Sequence, residues 1–184
     1  MMDSYSTLTD TSGYSAHDVV SLGYMQQTWF KGFLANTHKI SDVNPNDYLA
    51  IFLVGGQGPM HTFRGNSMLA QLFANFYESG KPLAAACHST TLLLEAKTSQ
   101  GKLVVDGKTW TGFANSEEDF VDNAVGMKIQ PYRIEDEARK LPNTTFKVAA
   151  PFSVYAIQDG NLITGQQQNS GTVAAELLIK ALNV

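Results

Sequence analysis

From Tyr48 to Val54 the chain runs Tyr-Leu-Ala-Ile-Phe-Leu-Val, nearly all apolar, and then stops at Gly55-Gly56-Gln57-Gly58-Pro59. A bounded apolar run of this length predicts a strand covered on both faces, central in a parallel sheet. Leu69, Leu72, Phe73, Phe76 and Tyr77 recur at helical spacing, and Ser79-Gly80 closes that helix. Leu83 to Ala86 predicts a second buried strand; Pro82 can only begin it, because proline brings no N–H to a ladder. Leu92-Leu93-Leu94 suits a helix packed back on the sheet. Lys108 to Gly112 predicts a short strand, and Ser116 a helix N-cap before the acidic turn Glu117-Glu118-Asp119. A helix follows from Arg133 to Leu141, then strands at Phe146–Ala150 and Val154–Ile157. Asp159-Gly160 turns the chain into Leu162-Ile163-Thr164, and a last helix runs from Ser170 to Leu182. Strand and helix alternate in the βαβ rhythm of an α/β fold with a mostly parallel sheet. The Ser-, Thr-, Asp- and Gly-rich residues 3 to 24 read as extended loop, and Met25 to Asn36 as a first helix placing Trp29, Phe30 and Phe33 in a core. No repeat or linker interrupts the pattern, so residues 1–184 read as a single domain.

Composition narrows the function classes. Hydrophobic residues make up 43% and charged residues 16%, the balance of a folded globular chain. The net charge is −4 and no basic patch stands out, which argues against nucleic acid as a partner. No apolar run approaches the roughly 20 residues of a membrane helix. The start of the chain lacks the basic and apolar regions of a signal peptide, and a single cysteine cannot form an internal disulfide. Both predict a cytoplasmic, reducing location.

That cysteine, Cys87, falls where the second strand hands over to a helix, with His88 next to it. Free backbone N–H groups and the positive end of a helix dipole favour thiolate there, although a lone cysteine among small apolar residues also suits an inert core position. Gly55 to Gly58 follows the first strand, at the same carboxyl edge of the sheet, where open α/β folds bind ligands. Gly56 N–H and His88 N–H are the candidate oxyanion hole; a tight turn is the alternative use of the Gly-Gly pair. Neither a G-x-G-x-x-G nor a P-loop lysine is present, which excludes the common phosphate-binding fingerprints. Glu117 and Glu118 could orient and charge-stabilise His88, or could simply complement a helix start. His17, His38 and His61 lack metal-ligand spacing and read as surface or loop residues.

Taken together, the chain resembles the DJ-1/PfpI superfamily, with its class I glutamine-amidotransferase-like fold. The resemblance runs from Tyr48–Gly58 through Phe76-Tyr77-Glu78-Ser79-Gly80-Lys81-Pro82 and Ala86-Cys87-His88. It continues in Trp110-Thr111-Gly112-Phe113-Ala114-Asn115-Ser116-Glu117-Glu118 and Asp159–Gln166. It is closest to the Hsp31-like branch, which has glyoxalase III members and stress-associated chaperones. The resemblance implies a flavodoxin-like three-layer sandwich, a nucleophile at Cys87, His88 beside it, a carboxylate at Glu118, and an oxyanion hole at Gly56 and His88. It implies a glyoxalase III-like lyase (formally a hydro-lyase) that needs no cofactor or metal, acts on small reactive carbonyls and forms a homodimer. A stress-response holdase or redox sensor without turnover is the alternative, and hydrolase or amidotransferase-like use of the triad a third. Gln57, Ser89 and Thr164–Asn169 depart from the branch's pattern at positions expected to line the pocket. The family's opening strand-helix-strand unit, with its glutamate near the cysteine, finds no counterpart, a gap of roughly 30 to 40 residues.

Overall fold

Leu83–Ala86 has apolar side chains on both faces and can therefore take a partner on each edge. In the computed structural model, which describes residues 19–182, it does so. The chain divides into two compact units, residues 1–43 and 44–184.

The first unit contains α1 (Val19–Gln26) and α2 (Thr28–Ala35). Residues 19 to 24 are thus helical, not extended loop, and the helix expected over Met25–Asn36 is two helices broken at Gln27. No residue of α2 is buried, so Trp29, Phe30 and Phe33 are not a core. They form a local cluster with Tyr24 of edge-to-face and tilted rings, centroids 5.6–5.9 Å apart.

The second unit carries the sheet. Its elements are β1 (Ile51–Leu53), α3 (Pro59–Thr62), α4 (Ser67–Glu78), β2 (Leu83–Ala86), β3 (Thr109–Trp110), α5 (Asn115–Val125), α6 (Ile134–Ala138), β4 (Thr145–Phe146), β5 (Ala156–Asp159), β6 (Leu162–Gly165) and α7 (Gly171–Ala181). The main sheet has the order β1-β2-β6-β5; β1, β2 and β6 are parallel, and β5 returns antiparallel through the Asp159-Gly160 turn. β3 and β4 form a small parallel pair. Helices cover both sides of this mixed, mostly parallel sheet. In register, Phe52, Ala84 and Ile163 make one row facing Ala174 and Leu178 of α7. The alternate residues face the other way, where α4 packs on β2 with Leu69, Phe73 and Phe76 buried.

β1 corrects the expectation of a central strand. Only three residues of the Tyr48–Val54 run form it, and it is an edge of the main sheet among the described residues. Leu49 and Val54 are 69% and 74% exposed. The run enters from a turn at Pro45–Asp47, whose Pro45 and Tyr48 carbonyls are both held by Lys81 Nζ at 2.8 Å. Half the apolar run is thereby spent on the approach and exit. No helix of the described residues is long and apolar enough to cross a membrane.

Candidate active site

β2 ends at Ala86, and the chain turns at once into a 3-10 helix, Cys87–Leu94. The turn is made by Cys87 itself, at φ +61°. An L residue pays roughly 1–3 kcal/mol for such backbone, which persists only where the surroundings impose it. Three contacts impose it here. Ser89 Oγ accepts the Ala86 N–H at 3.0 Å and lies 2.6 Å from the Leu53 carbonyl, tying the helix to both strands. Thr90 Oγ1 donates to the Cys87 carbonyl at 2.7 Å. Gly55 lies so close that a Cβ there would stand 2.5 Å from Cys87 Cβ and 2.7 Å from the Ala86 oxygen. The loop after β1 therefore touches the elbow, and Gly56 next to it takes φ +112°, which suits glycine.

Cys87 Sγ lies 3.5 Å from His88 Nδ1, and His88 Nε2 lies 2.9 Å from Glu118 Oε1. All three residues are buried. The imidazole stacks on Phe113 with centroids 4.0 Å apart. Phe113 gets there because Gly112 passes the 3-10 helix without a side chain; a Cβ would sit 2.2 Å from Thr90 Oγ1. Burial alone would lower the His88 pKa, but hydrogen bonds to Cys87 and Glu118, with the charges on both, outweigh it and raise it from 6.5 to about 9. At neutral pH the ring is an imidazolium that donates to sulfur on one side and to carboxylate on the other.

Glu118 comes from the first turn of α5. The N-cap of that helix is Ala114, not Ser116, because Glu117 reaches back to accept the Ala114 N–H at 3.0 Å and does the capping itself. Consecutive helical residues point about 100° apart. Glu118 faces His88, while Glu117 faces the N–H of Phe152 and the side-chain amide of Gln166. A cleft of about 500 Å³ lies on the Glu118 side, bordered also by Tyr132, Arg133 and Asp136; neither Cys87 nor His88 lines it.

The positions expected to line the pocket are otherwise engaged. Ser89 is an internal brace, and Gln57 is hydrogen-bonded to Gln130. Gln166 and Gln167 are buried, and with Asn169 and Ser170 they stitch the 149–155 loop, bonding Ala149, Ser153, Phe152 and Tyr155 respectively. His38 and His61 are exposed, and His17 lies outside the described residues. No group of three or more His, Cys, Asp or Glu residues that could hold a metal occurs among the described residues. The sequence marked Gly55 as part of a glycine turn but not as the residue packed on the elbow, and gave Phe113 and Thr90 no such roles; the spatial crossing of the two loops supplies them.

Residues 16–181 match the model of the DJ-1/PfpI family. The glutathione-independent glyoxalase HSP31 of Saccharomyces cerevisiae is 30% identical over 158 residues, covering 83% of this chain and 65% of that protein. Glyoxalase 3 of Candida albicans is 29% identical over 156 residues, with the same coverage of 83% and 65%. The chain thus spans less than two thirds of the length of these two relatives. Among solved structures, the glyoxalase III of Candida albicans superposes with a TM-score of 0.74 at 24% identity, covering 92% of this chain and 75% of that one. The 24-kDa rapid encystment protein of Francisella tularensis gives a TM-score of 0.79 at 24% identity, covering 95% and 73%. Both structures share the fold.

Proposed function

Because this chain belongs to the DJ-1/PfpI family, we propose that it is a cysteine-dependent, cofactor-independent enzyme of glyoxalase III type, which converts 2-oxoaldehydes to 2-hydroxy acids. The observation that carries the reading is the buried line Cys87–His88–Glu118, with its nucleophile on a left-handed backbone turn. An imidazolium between a thiol and a carboxylate stabilises thiolate, the reactive form of cysteine. The names of relatives at about 30% identity support the same chemistry.

For methylglyoxal the steps balance as follows. The Cys87 thiolate adds to the aldehyde carbon, and the new oxyanion takes the Nδ1 proton of His88, giving a hemithioacetal. The N–H groups of Gly56 and His88 would hold that oxyanion; the His88 amide stands in the first turn of a helix, where it has no carbonyl behind it. Neutral Nδ1 then removes the proton from the former aldehyde carbon, giving an enediolate, and returns it to the neighbouring carbon while the hydroxyl proton passes from the first oxygen to the second. The product is a lactoyl thioester on Cys87. Water hydrolyses it to lactate and frees the thiolate. Overall, one methylglyoxal and one water give one lactic acid, with no external oxidant or reductant, and the formal class is hydro-lyase. Glu118 keeps Nε2 protonated throughout, so that proton traffic runs through Nδ1.

The test is lactate formation from methylglyoxal by the purified chain, without added thiol. Turnover abolished by Cys87→Ser and sharply reduced by Glu118→Gln supports the reading. Turnover that survives Cys87→Ser refutes it.

A further inference from the structure

Glu117 is fully buried, and it lies beside the residue that holds His88. Its hydrogen-bond partners are three neutral donors. Oε2 accepts the Ala114 N–H at 3.0 Å; Oε1 accepts the Phe152 N–H at 2.9 Å and the Gln166 side-chain amide at 2.8 Å. A fully buried acidic side chain whose partners are all neutral donors is costly to place in the interior, and helix capping alone does not require it.

Its partners show what else it holds. Gln166 directly continues β6, whose Gly165 is in register with Ala86, the residue before Cys87. The oxygen of that amide accepts the Ala149 N–H at 2.7 Å. Phe152 sits at φ +57°, uncommon for a bulky side chain, with its carbonyl held by Asn169 at 2.8 Å. The first turn of α5 is thus fastened to the carboxyl end of the strand next to β2. His88 stands on the elbow of β2 and Glu118 on the first turn of α5. Glu117 and Gln166 close the circuit between these two supports.

We infer that Glu117 is a positioning residue: by bonding Phe152 and Gln166 it clamps the first turn of α5 to the end of β6, and so holds the Glu118 carboxylate within hydrogen-bond reach of His88. The inference rests on the reading of Cys87, His88 and Glu118 as one working unit. It does not require that the unit's substrate be a 2-oxoaldehyde.

In Glu117→Gln one acceptor oxygen becomes a donor that faces the Gln166 amide and backbone N–H groups. The 166 clamp opens and Glu118 drifts from the ring. The His88 imidazole titration, followed by NMR, is the readout. Its midpoint, raised above 6.5 in the parent by Cys87 and Glu118, should fall by about one unit, the equivalent of one weakened charge-assisted hydrogen bond. Combining Glu117→Gln with Gln166→Glu exchanges donor and acceptor across the clamp and should restore most of the shift, which a general loss of stability would not allow. An unmoved midpoint in a folded Glu117→Gln variant overturns the inference, as does a double variant no better than the single one. Should Glu117→Gln fail to fold, Gln166→Leu keeps both backbone donors to Glu117 and should give a smaller fall; no fall there overturns the inference equally. Methylglyoxal turnover in the parent is scored separately. A parent without turnover whose midpoint moves as expected sinks the functional reading and leaves this one standing.

Discussion

Raising the pH from 6.5 to 9 should remove one specific contribution to stability. His88 is 1% exposed, and its pKa is raised from 6.5 to about 9. Folding therefore takes up a proton in that window, and stability falls wherever the folded state holds more protons than the unfolded state. The contribution is fully present below pH 6.5 and is lost as the pH rises through about 9. At 1.36 kcal/mol per unit, the shift corresponds to roughly 3 kcal/mol. Against a total of about 5–15 kcal/mol for a typical domain, such a loss is readily measured. The assay is urea unfolding from pH 6 to pH 10 of the parent and of His88→Gln, with the difference in unfolding free energy plotted against pH. Taking the difference removes the titrations of groups that do not touch His88. The curve should be flat at its acid end and descend across the window, with a slope no steeper than about 1.4 kcal/mol per unit. Cys87→Ala deletes one of the two partners that raise the pKa and should shrink the descent more than any surface substitution. A flat difference, or one that rises with pH, would refute the argument that partner bonds outweigh burial at this ring.

Two further outcomes follow from close packing at the elbow. Gly55→Ala places a methyl 2.5 Å from Cys87 Cβ; overpacking of this kind should cost about 1–3 kcal/mol in chemical denaturation and slow iodoacetamide labelling of Cys87. Ser89→Ala leaves the buried Leu53 carbonyl and Ala86 N–H without their shared partner, and the denaturation midpoint should fall by the equivalent of about 1–3 kcal/mol, while Ser89→Thr should retain part of the loss.

Strand and helix order, the α4 face and the Asp159-Gly160 hairpin were legible because each rests on local periodicity or a turn residue. The rank of strands within the sheet was not. The Tyr48–Val54 run is more hydrophobic than Leu83–Ala86, yet among the described residues the alanine-rich strand is interior and β1 is an edge, since small side chains let α7 approach closely. Hydrophobicity measures burial tendency, not the number of strand neighbours. The aromatic spacing of α2 reads the same whether its partners are a core or one another. At α5, Ser116 is the better cap by residue type, but Glu117 reaches back and moves the helix start to Asn115. The Cys87-His88 junction could be placed from its strand-to-helix context. The buried bonds of Glu117 could not, because its partners Phe152 and Gln166 lie about 35 and 49 residues away.

The parallel pairing of β2 with β6 also sets an order in time. Leu83 meets Leu162 across about eighty intervening residues, and contacts so distant in sequence form late, after the entropy of closing a long loop has been met. During synthesis Cys87 leaves the ribosome well before Gly165, and the clamp at Gln166 is later still. The strand that carries the thiol then has only β1 beside it, and His88 cannot be held at both ring nitrogens until α5 is fixed. A nascent chain therefore passes through an interval in which the contacts around His88 are incomplete. On the proposed reading, the working arrangement of Cys87 and His88 waits for that late strand pairing.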